Sequence, residues 1–340
     1  MASQDSRRRG GVTPSEHKGR IPAAFAGFSA DDAPHGVGFI RGKVRDVFVL
    51  DRDLVISASD RISAFDRNLG LVPTKGELLT QLSAFWFDEL LDICPNHLVS
   101  LAGPRVLHVR RCSVIPVEVV VRGYLTGSAW RDYHSGHPVS GIALPGGLRA
   151  NERFDTPLVT PSTKEAVGAH DRPIAAAEIV DSGLVDAELW TRIEQTALAL
   201  FARGTEICAR AGLILVDSKY EFGLFDGVLT LVDEVHTPDS SRFWFAEDYL
   251  ARFAAGEPQH ALDKEHLRTW LLGRGYQGEG DPPIIPDHLF AEVADRYRFA
   301  YETITGRKFT PDETNGEAQR QKTLLYVTEL HRSQSGGTTV

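Results

Sequence analysis

Three short runs rich in β-branched and aromatic residues, 37–41, 44–50 and 54–58, follow one another with only Gly42-Lys43 and Asp51-Arg52-Asp53 between them. Turn-prone residues separating such runs predict an antiparallel meander. A helix is expected over 75–91, and 106–111 and 114–122 read as two further strands. The first block is therefore mostly sheet with one helix. Ahead of it, 1–35 is polar, Gly-rich and without sustained period, and reads as a mobile leader in which only 21–28 packs.

Beyond this block the pattern changes. Glycines and prolines crowd 123–174, which reads as long loops, and loops of that length in a compact chain are commonly functional. Over 186–211, Leu189, Ile193, Ala197, Leu200, Gly204, Ile207 and Ala211 recur at three- and four-residue steps, and Gly212 ends the helix they predict. An apolar strand over 213–217 precedes a hairpin over 225–233 that turns at Asp226-Gly227. The stretch 246–330 is helical with breaks at 256–258 and 273–286, and 333–340 is a frayed tail. The 340 residues suggest roughly two domains, divided as 36–116 and 117–332.

Lys and Arg number 37 against 46 Asp and Glu, a net charge of −9 that disfavours a protein coating nucleic acid through excess positive charge. A local basic pocket for one phosphate is still allowed. No apolar run is long enough for a membrane-spanning helix, and the basic start MASQDSRRRGG has no apolar stretch behind it to make a secretory signal. Cys94, Cys112 and Cys208 are too few and too scattered for a disulfide framework or a Cys-rich zinc site. The expected location is the cytoplasm.

Five short segments carry chemistry. Gly42-Lys43-Val44-Arg45-Asp46 sets a glycine and two cations at a strand corner, with Lys43 and Arg45 on one face, a geometry suited to a triphosphate. On these residues alone a surface turn with solvated charges is the commoner explanation. The segment 60–66 packs Asp60, Arg61, Ser63 and Asp66 behind a strand end, where binding groups collect, or else caps a helix at Asp60 or Ser63. In 117–123, Glu118 inside an apolar strand needs a partner, and Arg122 beside Gly123, Tyr124, Thr126 and Ser128 suits a monophosphate as well as it suits a plain ion pair. Asp217, Lys219 and Glu221 share one face of an extended chain. If the following hairpin pairs as expected, Glu221 and Asp233 can hold a magnesium ion together with nucleotide phosphates, a salt-bridge network being the alternative. Thr237-Pro238-Asp239-Ser240-Ser241-Arg242 adds an acid, hydroxyls and an arginine in a turn. The histidines lack zinc spacing, no Walker A or GxSxG occurs, and the one GxGxxG, GRGYQG at 273–278, follows a helix and reads as a helix stop.

Taken in order, the segments GKVRDVF (42–48), SDRISAFD (59–66), VEVVVRGYLTGS (117–128), TPSTK (160–164), ILVDSKYEFG (214–223) and DEVHTPDSSRFW (233–244) resemble the SAICAR synthetase family, at the length of its longer single-function form. The resemblance implies an α+β fold in which an N-terminal antiparallel sheet domain and a larger α/β domain clasp ATP, in the manner of kinases and ATP-grasp enzymes. It implies an ATP-dependent ligase joining carboxyaminoimidazole ribonucleotide to L-aspartate, with Mg²⁺ as cofactor. Carried over to this chain, Gly42, Lys43, Val44, Arg45, Glu118 and Lys164 would surround ATP, and Glu221 and Asp233 would ligate Mg²⁺. Lys219 and Asp217 would be catalytic; Arg122, Ser128 and Arg242 would hold the ribonucleotide's phosphate, Asp217 and Asp239 would meet its imidazole or ribose end, and Ser241 would be a further substrate contact. Ser63, Ala64 and Asp66 would lie near aspartate or the reacting carboxylate. A small-molecule kinase with the same clasp would differ in needing no aspartate. An inactive nucleotide-binding protein would have little reason to keep Lys43, Lys219, Glu221 and Asp233. Oligomeric state is not readable from the sequence, and a monomer is the default.

Overall fold

The structure is a computed structural model that describes residues 23–65, 67–164, 172–262 and 264–335. The meander forms as expected. Strands β1 (Gly38–Arg41), β2 (Arg45–Val49) and β3 (Asp53–Ala58) pair antiparallel in sequence order. A hairpin β4 (Arg61–Ala64) and β5 (Arg67–Leu71) then stands apart as a two-stranded sheet, so no helix is capped at Asp60 or Ser63 in that segment. Helix α1 (Lys75–Glu89) follows, and β6 (Leu98–Gly103) and β7 (Val106–Arg110) complete a five-stranded sheet of order β1-β2-β3-β7-β6.

The second sheet is built on two long strands, β8 (Ser113–Tyr124) and β10 (Leu213–Phe225). Between them run helix α2 (Gly127–His134), strand β9 (Arg153–Thr163), and helices α3 (Ala176–Asp181) and α4 (Ala187–Arg210). Strands β11 (Val228–Val232) and β12 (Ser241–Phe245) pair with the two ends of β10, and helices α5 (Tyr249–Ala255), α6 (Glu265–Leu272), α7 (Asp287–Thr305) and α8 (Gly316–Ser335) end the chain. Every pairing between these strands is antiparallel, which makes the class α+β. Among the described residues no helix is long and apolar enough to cross a membrane.

Several boundaries differ from the sequence expectation, each for a physical reason. The stretch read as loops hides α2 and β9. Strand β9 carries Pro157 and Pro161, which argue against a strand by composition, yet it lies at the sheet's edge, where proline leaves no ladder bond unmade. The strand expected to stop at Asp217 continues through its charged residues to Phe225, because both of its flanks are paired. Ser333–Ser335, assigned to a tail, are the last turn of α8. The one part of the leader expected to pack does so: Phe25 and Phe28 are buried with Phe48, Val55, Val106 and Val327 against the first sheet.

The main core joins α1, the second sheet and helices α4 and α7 around Trp86, Tyr220, Phe243 and Tyr297. Helix α4 presents Ile193, Ala197, Leu200, Gly204 and Ile207 to it, the face its periodicity foretold. Helix α1 starts without a side-chain cap from its own N-cap residue, Thr74, which is in the left-handed region at φ 67°. Asp60 supplies the missing acceptor from a distance, taking the Gly76 N–H at 2.9 Å. The same carboxylate takes the Phe25 N–H at 2.7 Å and the Arg105 guanidinium at 3.0 Å. Arg105 in turn donates to Glu77 at 3.0 Å and to Gln319 of α8 at 2.7 Å. One buried guanidinium thus ties together strand, helix and the returning end of the chain.

Candidate active site

Strands β8 and β10 lie side by side in a register that places Arg122 opposite Asp217 and Glu118 opposite Glu221. Residues four apart on a strand share a face about 13 Å apart. The register therefore sets two groups of charges on one face of the sheet. It also explains why the apolar run of β8 carries a glutamate: Glu118 has a cation to pair with across the strands.

The first group collects around Glu221. Lys219 lies 3.0 Å from Glu118 and 3.4 Å from Asp233, and pairs closely with Glu221 as well. Lys164 reaches Glu221 from the end of β9. Arg45, at the start of β2, crosses from the first sheet to pair with Asp233 and lies 3.7 Å from Glu234. Asp233 follows β11 with φ at 67°, a strained conformation for a residue with a side chain. The buried His97 ring lies beside it; burial foremost pushes the His97 pKa down to about 4, so the ring is neutral.

Electrostatics separate the two central carboxylates. Burial and the neighbouring Asp233 push the Glu221 pKa up to about 7 against the pull of Lys219 and Lys164. Burial also opposes ionisation of Asp233, but Arg45 and Lys219 outweigh it and hold that carboxyl well below the usual range. Lys219 is held charged despite burial by Glu221, Asp233 and Glu118. The group holds three cations, Arg45, Lys164 and Lys219, against four carboxylates, Glu118, Glu221, Asp233 and Glu234. A buried and a half-buried carboxylate that repel each other, with three cations around them, suit a divalent cation together with a polyphosphate. Among the described residues no group of three or more His, Cys, Asp or Glu is arranged to hold a metal ion, so a cation there would need most of its oxygens from a ligand or water.

The second group is basic. Asp217 accepts from Arg242 at 2.6 Å and lies 3.5 Å from Arg122. Arg122 also donates to Thr160 at 2.8 Å and to Ser128 in the first turn of α2 at 3.1 Å. One carboxylate serves two guanidinium groups, which leaves a positive pocket fit for an oxyanion. Gly127 packs under it at φ 61°, and a Cβ there would lie 2.6 Å from the Arg242 guanidinium. Only glycine allows both that backbone and that approach. Ser241 stands beside this pocket, but its hydroxyl is buried and donates to Ser218 at 2.8 Å.

A third node lies below. Asp239 is buried and bonded to Lys75 at 2.7 Å and to the Tyr297 hydroxyl at 2.6 Å, with Lys264 at 3.6 Å. Burial opposes its charge, but Lys264 and Lys75 outweigh it and hold Asp239 well below the ordinary carboxylate range. Lys75 is itself wholly buried, and sequence reasoning gave no hint of it: it is one more cation at a helix start. Glu234 and Thr160 lie inside the chemistry-bearing segments, but only their contacts with Arg45 and Arg122 mark them as part of the site.

Gly42 and Lys43 form the exposed corner between β1 and β2, with Val44 half-buried beside them. Ser63 and Ala64 sit on β4; Ala64 is buried in the main core, and among the described residues neither side chain joins either charged group. Asp66 lies outside the described residues.

Comparison with known proteins bears on this arrangement. The profile of the SAICAR synthetase family matches residues 38–283. A phosphoribosylaminoimidazole-succinocarboxamide synthase of Bacteroides thetaiotaomicron is 47% identical over 284 residues, 82% of this chain and 90% of that protein. One from Legionella pneumophila is 44% identical over 81% of this chain and 90% of its own length. Among solved structures, the SAICAR synthase of Saccharomyces cerevisiae complexed with SAICAR has a TM-score of 0.71 at 35% identity, covering 82% of this chain and 99% of that one. A SAICAR synthetase in complex with ADP has a TM-score of 0.62 at 27% identity, covering 81% of this chain and all of that one.

Proposed function

Since the chain belongs to the SAICAR synthetase family, we propose that the two charged groups on β8 and β10 divide between them the two ends of one reaction. The protein is an ATP-dependent ligase of purine biosynthesis that joins the carboxylate of carboxyaminoimidazole ribonucleotide to the amine of L-aspartate, releasing ADP and phosphate. The observation that carries the assignment of residues is the register of β8 on β10, which fixes Arg122 with Asp217 at one end and Glu118 with Glu221 at the other. A ribonucleotide lying along the strands has its 5′-phosphate on Arg122, Arg242 and Ser128, and its carboxylate toward Lys219.

ATP approaches from the first sheet, with its phosphates over Gly42, Lys43 and Val44. Glu221 and Asp233 would hold Mg²⁺, which would neutralise phosphate charge. Arg45, Lys164 and Lys219 then exchange carboxylate partners for phosphate oxygens. A carboxylate resists attack by an amine because oxide is its leaving group. Phosphorylation removes that obstacle: a carboxylate oxygen attacks the γ-phosphorus, ADP departs, and an acyl phosphate results. The neutral aspartate amine then attacks the acyl carbon, phosphate leaves with that oxygen, and the amine gives up one proton to water. The work of the residues is positioning and neutralisation of charge. Asp217 acts by holding both arginines at the angle the phosphate requires, and Asp239, fixed by Lys75 and Tyr297, by lining the substrate's other side.

Two measurements test this reading. With ¹⁸O in the substrate carboxylate, each turnover should place one label in released phosphate, and ADP release should need L-aspartate. Unlabelled phosphate would reject the acyl phosphate, and ADP formed freely without aspartate would favour a kinase. Separately, Gly127→Ala should crowd Arg242 and raise the KM for the ribonucleotide about tenfold or more, while the KM for ATP stays near wild type. Equal rises in both would remove the phosphate pocket from this position.

A further inference from the structure

The Arg61 side chain on β4 is 3% exposed, and all five of its N–H donors are used. Its Nε donates to the Lys43 carbonyl at 3.1 Å. One terminal nitrogen donates to the Gly42 carbonyl at 3.1 Å and to Asp46 at 2.7 Å. The other donates to Asp46 at 3.1 Å and to the Ala26 carbonyl at 2.6 Å. Asp46 in turn accepts the Phe28 N–H at 2.8 Å. The next carbonyl of the corner, that of Val44, is taken by both the N–H and the hydroxyl of Ser59, at 2.9 and 2.7 Å. Three successive carbonyls of an exposed corner are thus drawn inward by a buried cluster.

In a trans peptide the carbonyl and the following N–H point in opposite directions. With the Gly42 and Lys43 carbonyls turned in toward Arg61, the N–H groups of Lys43 and Val44 face outward from the cluster. Outward-facing successive amides beside a lysine make a seat for an anion. We propose that Arg61 is a positioning residue for the reaction: it never touches substrate, but it fixes the backbone of the corner at 42–44 so that these amides and Lys43 meet the nucleotide's phosphates. The inference rests on the reading of that corner as the phosphate-binding turn of the ATP site. It also gives Phe25–Phe28 a part in the chemistry, because that segment supplies the carbonyl and N–H that complete the Arg61–Asp46 cluster.

The test is ADP binding by calorimetry alongside steady-state kinetics for Arg61→Lys, Asp46→Asn, Lys43→Met and, as a control for lost stability, the core variant Leu82→Ala. Lysine keeps a charge for Asp46 but cannot hold both carbonyls. Arg61→Lys should weaken ADP binding about tenfold and raise the KM for ATP in parallel, with the KM for the ribonucleotide within about twofold of wild type. Asp46→Asn, which keeps one acceptor for the guanidinium and so folds more readily, should show a smaller shift in the same direction. Leu82→Ala should lose thermal stability with ADP affinity unchanged. Normal ADP affinity in folded Arg61→Lys and Asp46→Asn overturns the proposal, as does an equal weakening in Leu82→Ala. If Lys43→Met also leaves ADP binding unchanged, the corner is not the phosphate site and the underlying reading fails with it. If Lys43→Met weakens binding while the cluster variants do not, the positioning role alone fails.

Discussion

Glu221→Gln and Asp233→Asn should each lower kcat about a thousandfold or more, because each removes one of two carboxylates assigned to the metal and leaves phosphate charge unneutralised. Both replacements keep shape and volume. Asparagine is the better choice at 233 because it tolerates the left-handed backbone there. The fold should survive in both, as checked by the melting temperature and by the circular dichroism of the buried aromatic side chains. Titration with Mn²⁺ and ADP, followed by electron paramagnetic resonance, should show loss of bound metal in parallel with loss of turnover. Wild-type turnover in either variant would remove the metal assignment. Lost turnover with undiminished metal binding would move the carboxylates from metal ligation to charge placement.

The largest effect on stability is expected at Arg105. Arg105→Met leaves Asp60 and Glu77 buried near each other without their shared cation, and frees the side-chain oxygen of Gln319. Breaking a buried charge network in this way costs about 3–5 kcal/mol, a large part of the roughly 5–15 kcal/mol that holds a typical domain together. Burial foremost already raises the Glu77 pKa, with Arg105 and the Asp312 N–H opposing it. Without Arg105 that pKa rises further above its unfolded value, so the folded form binds more protons and the variant's deficit should grow as pH rises. Urea unfolding at two pH values measures both. A midpoint within experimental scatter of wild type would mean that α8 and the first sheet do not depend on this guanidinium.

What the sequence made legible was local. The meander, the period of α4 and the turn at Asp226-Gly227 each follow from neighbours in the chain. So does the approach of Glu221 to Asp233, since a hairpin of known length brings the two ends of β10 and β11 together. Arg122 beside Ser128 was readable for the same reason. The rest depended on contacts no local pattern encodes. Lys75 reads as a helix-start lysine until it meets Asp239, 164 residues away. Arg105 gains its role from Glu77 and Gln319, and the latter is 214 residues distant. Asp60 and Arg61 were conspicuous as a charged knot, yet knowing what they hold required Phe25, Ala26 and the corner at 42–43. Strand β9 was missed because its prolines are acceptable only at an edge, and edge position is a property of the whole sheet.

The pairing of the two ends of the described chain has a consequence for how the protein is made. Val327 of α8 lies in the same apolar cluster as Phe28 and Phe48, and Arg320 bonds to the Gly27 carbonyl and to Asp32, nearly three hundred residues earlier. A ribosome delivers the first sheet long before it delivers α8. Through most of translation the nascent meander therefore carries an uncovered greasy face, the condition under which partly made chains stick to one another and chaperones hold them. Synthesis past residue 327 is what closes it.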